Sequence, residues 1–266
     1  MKEITIAELR VIQLDILKHI DVFCKEHDIK YFLCGGSMIG AVRHQGFIPW
    51  DDDIDIMMIR EDYNRFIQIY LQQDRSIFIL HSHSSEIDYP YPYVKIEDSR
   101  TLFQGNVHYQ FPIGIHIDLF PIDTVPESKI KQHVLFVKSQ CLIKMRAFKN
   151  IRMSHSNIVK KLVNNIIQGS LSLISFDKIT SLMEKNAVRY NGINSKYCGI
   201  VVWGYGMREI NYRSNWDTVK YVAFEDIEAP IPGGYDNYLS NVYGDYMEPP
   251  LDTERLTHHS FFAYWK

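Results

Sequence analysis

Four carboxylates fall within five positions, Asp51, Asp52, Asp53 and Asp55, in the run Trp50-Asp-Asp-Asp-Ile-Asp-Ile56. From Asp53 to Met57 acidic and apolar residues alternate with the period of a strand, in which residues two apart share a face. Asp53 and Asp55 are then forced together, while Ile54 and Ile56 pack on the other side. Two carboxylates ~4 Å apart at an effective dielectric of ~20 repel by roughly 4 kcal/mol, a cost that a divalent cation reverses. The chemistry this pattern suits is metal-assisted transfer, with Asp53 and Asp55 as ligands of Mg2+ or Mn2+. Asp118 lies among apolar Ile115, Ile117 and Leu119 and is the candidate third ligand or base. Asp51 and Asp52 read as supporting or structural. A solvated acidic turn after Pro49 is the competing reading, since turns are rich in Asp; the continuation of Asp53 and Asp55 into an apolar strand favours the metal.

Upstream, Gly35-Gly36 lets the backbone approach a phosphate closely. Ser37 is placed as the N-cap of a short helix to His44, whose opening amides suit an anion. The spacing of Gly35, Gly36 and Gly40 matches neither the dinucleotide fingerprint nor the P-loop, so this signal takes its meaning from the acidic strand downstream. His44, His116, His258 and His259 stay outside the catalytic set, because carboxylates suit magnesium better than imidazole does.

The elements that must position these residues are legible in outline. Thr5 and Glu8 form a capping-box pattern ahead of Leu9, Ile12, Ile16, Ile20 and Phe23 at helical spacing, predicting a helix to about Glu26. Strands are expected at 31–34, 53–57, 77–80, 93–96 and 115–119, with helices at 61–72 and 236–242. The fold class is therefore α/β, with a mainly helical segment from 128 to about 190. Val125-Pro126 marks the expected boundary, giving a catalytic core over 1–126, a basic helical subdomain over 127–192, and a region over 193–266 that packs on and completes the core.

Composition narrows the class. With 46% hydrophobic and 23% charged residues and a net charge of -3, the 266-residue chain suits a globular enzyme and not a nucleic-acid binder. Cys24, Cys34, Cys141 and Cys198 are scattered and suggest reduced structural thiols. No secretion signal or spanning segment is legible, so a cytoplasmic protein is expected. The charge is segregated: between Glu127 and Asp177 there is no acid but nine Lys and Arg, leaving 20 basic against 32 acidic residues elsewhere. That asymmetry, with Val134, Leu135, Leu142, Ile143, Ile158, Leu162, Val163, Ile166 and Ile167 at helical spacing, fits either an anionic membrane surface or a helical subdomain packed on the core.

Residues 31–60, from Tyr-Phe-Leu-Cys-Gly-Gly-Ser through Trp-Asp-Asp-Asp-Ile-Asp-Ile, closely resemble the signature of the LicD family of phosphocholine transferases. Lys95–Thr101, Asp118-Leu-Phe-Pro-Ile-Asp123 and Tyr243-Gly-Asp-Tyr-Met-Glu-Pro-Pro250 agree with it. The resemblance implies the nucleotidyltransferase fold, a mixed sheet with flanking helices. It also implies transfer of a phospho-alcohol from a CDP-alcohol, typically CDP-choline, to a sugar hydroxyl of a surface glycan or teichoic acid precursor, with release of CMP. Arg43 and Lys95, within family-like motifs, are then the expected phosphate cations beside Gly35, Gly36 and Ser37, with a solvated surface role as the alternative for Lys95. Tyr91, Tyr93 and Trp203 are candidate rings for a choline head group. A lipid-linked acceptor would explain the basic segment and place the protein at the inner face of the membrane. Two other readings remain: a true nucleotidyltransferase that expels pyrophosphate, and a non-catalytic glycan- or membrane-binding protein.

Overall fold

The computed structural model describes residues 1–73, 77–87, 89–105, 111–150, 169, 174–250 and 261–266. Strand β1 (Lys2–Glu3) leads into α1 (Ile6–Glu26), which opens on the expected capping box: Thr5 Oγ1 accepts from Glu8 N–H, and the Glu8 carboxylate accepts from Thr5 N–H. The buried face of α1 carries Leu9, Ile12, Ile16, Leu17, Ile20 and Phe23 and packs on the central sheet. Each such side chain contributes roughly 1.5–3 kcal/mol when fully removed from water.

The central strands are β2 (Phe32–Leu33), β3 (Asp55–Ile59), β4 (Phe78–His81), β5 (Val94–Asp98) and β7 (His116–Val125), in the order β2-β3-β7-β5-β4. Only β3 and β7 run parallel; the other pairs in that row are antiparallel. Ile54, Ile56, Ile117 and Leu119 have no more than traces of exposure, as the alternation of the sequence requires. Helix α2 (Gly35–His44) joins β2 to the acidic run, and α3 (Arg60–Tyr70) follows β3 directly. Strand β6 (Thr101–Gly105), which the sequence did not suggest, pairs with β12 (Phe261–Trp265), and β12 pairs with β1 in a separate three-stranded sheet.

After Val125 the chain enters α4 (Lys129–Asn150), then α5 (Phe176–Ala187). Leu135 and Phe136 of α4 join the main core, whereas Leu142 packs with Ile179 and Met183 of α5 in a smaller cluster. Arg152, Lys160, Lys161 and the apolar positions from Ile158 to Ile167 lie outside the described residues, as do His258 and His259. Strands β8 (Tyr197–Gly199) and β9 (Asn211–Tyr212) extend the central sheet from the far end of β7; β10 (Val219–Phe224) and β11 (Ile227–Pro232) form a hairpin. Helix α6 (Tyr235–Tyr243) closes the C-terminal part.

Two boundaries differ from expectation at the site. Helix α2 starts at Gly35, with the backbone of Cys34 as N-cap and no side-chain cap. Ser37 is buried inside the first turn, and its Oγ accepts from Asp55 N–H at 2.8 Å. The positive φ of Gly35, 51°, lets the chain turn from strand to helix without an intervening loop residue. Strand β3 begins at Asp55, so Asp53 precedes it; Asp51 N–H is taken by Ile48 O and Asp52 N–H by Asp51 Oδ1, a turn that holds this stretch out of the ladder.

Candidate active site

Parallel pairing places Asp55 beside Asp118 across the two central strands, and both carboxylates rise from the same face. Burial, then the charges of Asp53 and Asp118, push Asp55 well above the usual carboxylate range, with Lys95 opposing. Among the described residues, the group of three whose oxygens lie within 4.8 Å of one another is Asp51, Asp52 and Asp53; Asp53, Asp55 and Asp118 do not close to that span. The turn before β3 gathers three successive carboxylates that a continuous strand would have separated, so Asp51 and Asp52 join Asp53 as candidate oxygen ligands. A dense set of oxygen ligands fits a hard divalent cation.

Lys95 is also placed differently from its expected phosphate contact. Its side chain is buried, and Nζ donates to Asp118 Oδ1 at 2.5 Å and to His116 Nε2 at 3.0 Å. The register of β5 on β7 sets Lys95 opposite Asp118, so the ammonium pairs with that carboxylate inside the sheet. His116 Nδ1 sits 2.8 Å from Gly114 O, which it donates to in the tautomer that leaves Nε2 as acceptor. Desolvation and then Lys95 lower His116 to about 4, so it is neutral near pH 7.

A cavity of about 740 Å³ opens on this acidic edge, within the range of small-molecule sites. Gly35, Gly36, Arg43, Asp51, Asp53, Asp55 and Trp203 line it; Ser37, Lys95, Asp118, Tyr91 and Tyr93 do not. Arg43 reaches the cavity with its guanidinium anchored, Nη1 donating to Tyr246 O at 2.7 Å. Tyr91 and Tyr93 are buried, with the Lys95 ammonium 4.6 and 5.3 Å from their ring centres and Arg146 4.8 Å from Tyr91. Tyr91 and Tyr93 thus lie behind the wall with their faces toward internal cations, whereas Trp203 is on the wall itself, with Arg146 4.9 Å from its ring.

Sequence reasoning missed much of the opposite lining. Tyr243, Asp245, Tyr246, Glu248 and Pro250 come from the motif that resembled the LicD pattern but received no role, Trp50 opens the acidic run without one, Tyr205 belongs to an aromatic cluster beside Trp203, and Glu209 and Tyr238 had no signal. Gly36 and Gly35 admit these neighbours closely: a Cβ on Gly36 would lie 2.7 Å from Asp51 Oδ2 and one on Gly35 3.0 Å from Tyr243 Oη. Asp123, the other carboxylate of the Asp118-Leu-Phe-Pro-Ile-Asp123 motif, is remote from the cavity; it is fully buried and accepts two 2.7 Å bonds from Arg60.

Comparison with known proteins fits this arrangement. The LicD/FKTN/FKRP nucleotidyltransferase domain matches residues 28–154, which span the acidic run, Lys95 and Asp118. The lipopolysaccharide cholinephosphotransferase LicD of Haemophilus influenzae is 31% identical over 268 residues, covering 99% of each chain. The human ribitol 5-phosphate transferase FKRP is 44% identical over 41 residues, 15% of this chain and 8% of that one. With the resemblance to LicD running the full length and the family's domain lying on the acidic edge, the chain belongs to the LicD family of nucleotidyltransferase-fold transferases.

Proposed function

We propose that the protein transfers phosphocholine from CDP-choline to a sugar hydroxyl of a cell-surface glycan precursor and releases CMP. The observation that carries this reading is the cavity in which Asp51, Asp53 and Asp55 face the glycine-opened start of α2, in a chain similar to a cholinephosphotransferase from end to end. A divalent cation, Mg2+ or Mn2+, would be held by Asp53 and Asp55 among the flanking carboxylates, with Asp118 beside them, and would supply charge neutralisation for the donor diphosphate. The backbone at Gly35 and Gly36 gives the diphosphate close approach to the helix start, and Arg43 adds a fixed cation. The acceptor oxygen attacks the phosphorus carrying choline, the bond to CMP breaks, and the hydroxyl proton passes to a carboxylate of the cluster. Lys95 holds Asp118 in place through this step.

The acceptor is read as lipid-linked, delivered at an anionic membrane face. On α4, Ile130, Val134, Val137 and Cys141 recur on one exposed helical face, with Lys131 and Lys138 on one flank and Lys144 on the other. An exposed apolar stripe edged by lysines suits the boundary between head groups and acyl chains. No helix among the described residues is long and apolar enough to cross a membrane.

The test is to incubate the purified protein and Mg2+ or Mn2+ with CDP-choline, CDP-ribitol or CDP-glycerol and candidate glycan acceptors, and to identify both products by mass spectrometry. CMP with a phosphocholine-bearing acceptor supports the reading. Pyrophosphate with a nucleotide left on the acceptor would establish a true nucleotidyltransferase instead.

A further inference from the structure

Glu209 is a buried carboxyl at the cavity that the proposed chemistry leaves unused. It ends a 3-10 turn, Gly206–Glu209, beside the cavity and is 2% exposed. Its Oε1 accepts from Tyr205 N–H at 3.1 Å; Oε2, equally buried, has no hydrogen-bond partner among the described residues. The backbone is shaped around it. Gly204 has φ +89°, and a Cβ there would strike Glu209 Oε1, while a Cβ on Gly199 would strike the Glu209 carbonyl. A carboxyl kept only to hold the 204–209 turn would need one acceptor, which an amide supplies without burying a potential charge.

Its surroundings are aromatic. Tyr205 and Tyr243 meet edge to face at 5.1 Å, Tyr238 lies against Cys34 with its hydroxyl 3.6 Å from Sγ, and all three rings line the cavity with Glu209 and Trp203. Arg146, the cation over Trp203, is also engaged with the Tyr91 ring and lies 3.4 Å from Pro90 O. Burial raises the Glu209 carboxyl to about 7, with the Tyr205 amide as the opposing influence. A ligand with a fixed positive charge and no N–H to donate would find here ring faces and a carboxylate that it brings back to its ionised form.

We propose that Glu209, with Tyr205, Tyr243 and Trp203, forms the subsite that receives a quaternary ammonium head group of the donor, and that Glu209 is the residue that selects a charged over an uncharged alcohol. This rests on the CDP-alcohol reading above. It assigns to the 203–209 turn, and not to Tyr91 and Tyr93, the choice among donors.

The test measures binding by titration calorimetry, with Mg2+ present, of three probes: CDP-choline, its uncharged 3,3-dimethylbutyl isostere, and CMP. The native protein is expected to bind CDP-choline at least about tenfold more tightly than the isostere, the lower end of what cation–π and carboxylate contacts give together. Glu209→Gln keeps the acceptor for Tyr205 N–H and is expected to bind the two CDP-alcohols equally, with CMP affinity unchanged and no loss of melting temperature. Glu209→Asp should restore part of the preference. Retention of the full preference by Glu209→Gln, or equal binding of both CDP-alcohols by the native protein, overturns the subsite while leaving CDP-alcohol transfer standing. If the native protein binds CMP but neither CDP-alcohol, the donor reading falls and the subsite with it.

Discussion

Strand β7 carries two aspartates five residues apart that meet opposite fates. At one end Asp123 is fully buried, takes 2.7 Å bonds from Arg60 Nε and Nη2 and from Asn191 Nδ2, and belongs to a network in which Arg60 Nη1 also reaches Glu184 at 2.6 Å. At the other end Asp118 keeps 19% of its side chain exposed and one close donor, Lys95 on Oδ1. Residue type, strand and counter-charge are alike; the number of oxygen lone pairs already taken is not. A carboxylate offers about four such sites. A nearly filled set ties α3, β7 and α5 together, whereas a part-filled set beside Asp55, which lines the cavity, leaves capacity for a ligand.

If that contrast is right, the two ends must fail differently. Asp123→Asn leaves Arg60 buried with its main counter-charge gone, so we expect a loss of about 3–5 kcal/mol and a fall of roughly 10 °C in melting temperature, read by calorimetry, with any residual activity in proportion to the folded fraction. Asp55→Asn should do the reverse, cutting turnover on the order of 10³-fold through lost charge stabilisation while the melt stays level or rises; Asp118→Asn should follow it at about 10²-fold. Near-normal turnover in Asp55→Asn would erase the distinction between the ends.

Glu209 extends the comparison to a buried carboxyl with no counter-charge among the described residues. Its folded pKa is raised from 4.5 to about 7, so the native state holds the proton more tightly than the unfolded chain. Its stability contribution is fully present below about 4.5 and is lost as pH rises through 7, about 3 kcal/mol in all. The stability of the native protein relative to Glu209→Gln should therefore decline between pH 5 and 8; a flat difference would contradict the burial argument. The smallest effect is expected on α4, where Lys138→Gln should weaken binding to anionic vesicles by about 1 kcal/mol at low salt, and vanish as salt screens the surface. Vesicle sedimentation across a salt series reads this directly.

Much of this was legible in the sequence, and the gaps have physical causes. The capping box, the alternation at Ile115–Leu119 and the apolar spacing of α1 are local signals, and the observed elements follow them. Asp53, Asp55, Gly35, Gly36 and Arg43 reach one cavity because they lie within twenty-one residues joined by two short elements. Lys95 was misplaced because its partner is set by the register of β5 on β7, which one strand alone does not encode. Tyr91 and Tyr93 could not be separated from Tyr205 and Tyr243 by type. What divides them is whether the ring lines the cavity or lies buried behind it, and that is decided by contacts far apart in sequence.

The distribution of the four tryptophans gives the molecule an optical property. Trp50 and Trp203 line the cavity, whereas Trp216 is buried 5.9 Å from Tyr238 and Trp265 sits on β12 with Arg100 5.6 Å from its ring. Emission from the native chain thus mixes two indoles that sense what enters the cavity with two that report only on the fold. A cytidine base stacking near either of the first pair would quench that share of the light while the remainder stays constant, so the intact protein carries its own internal standard for ligand occupancy.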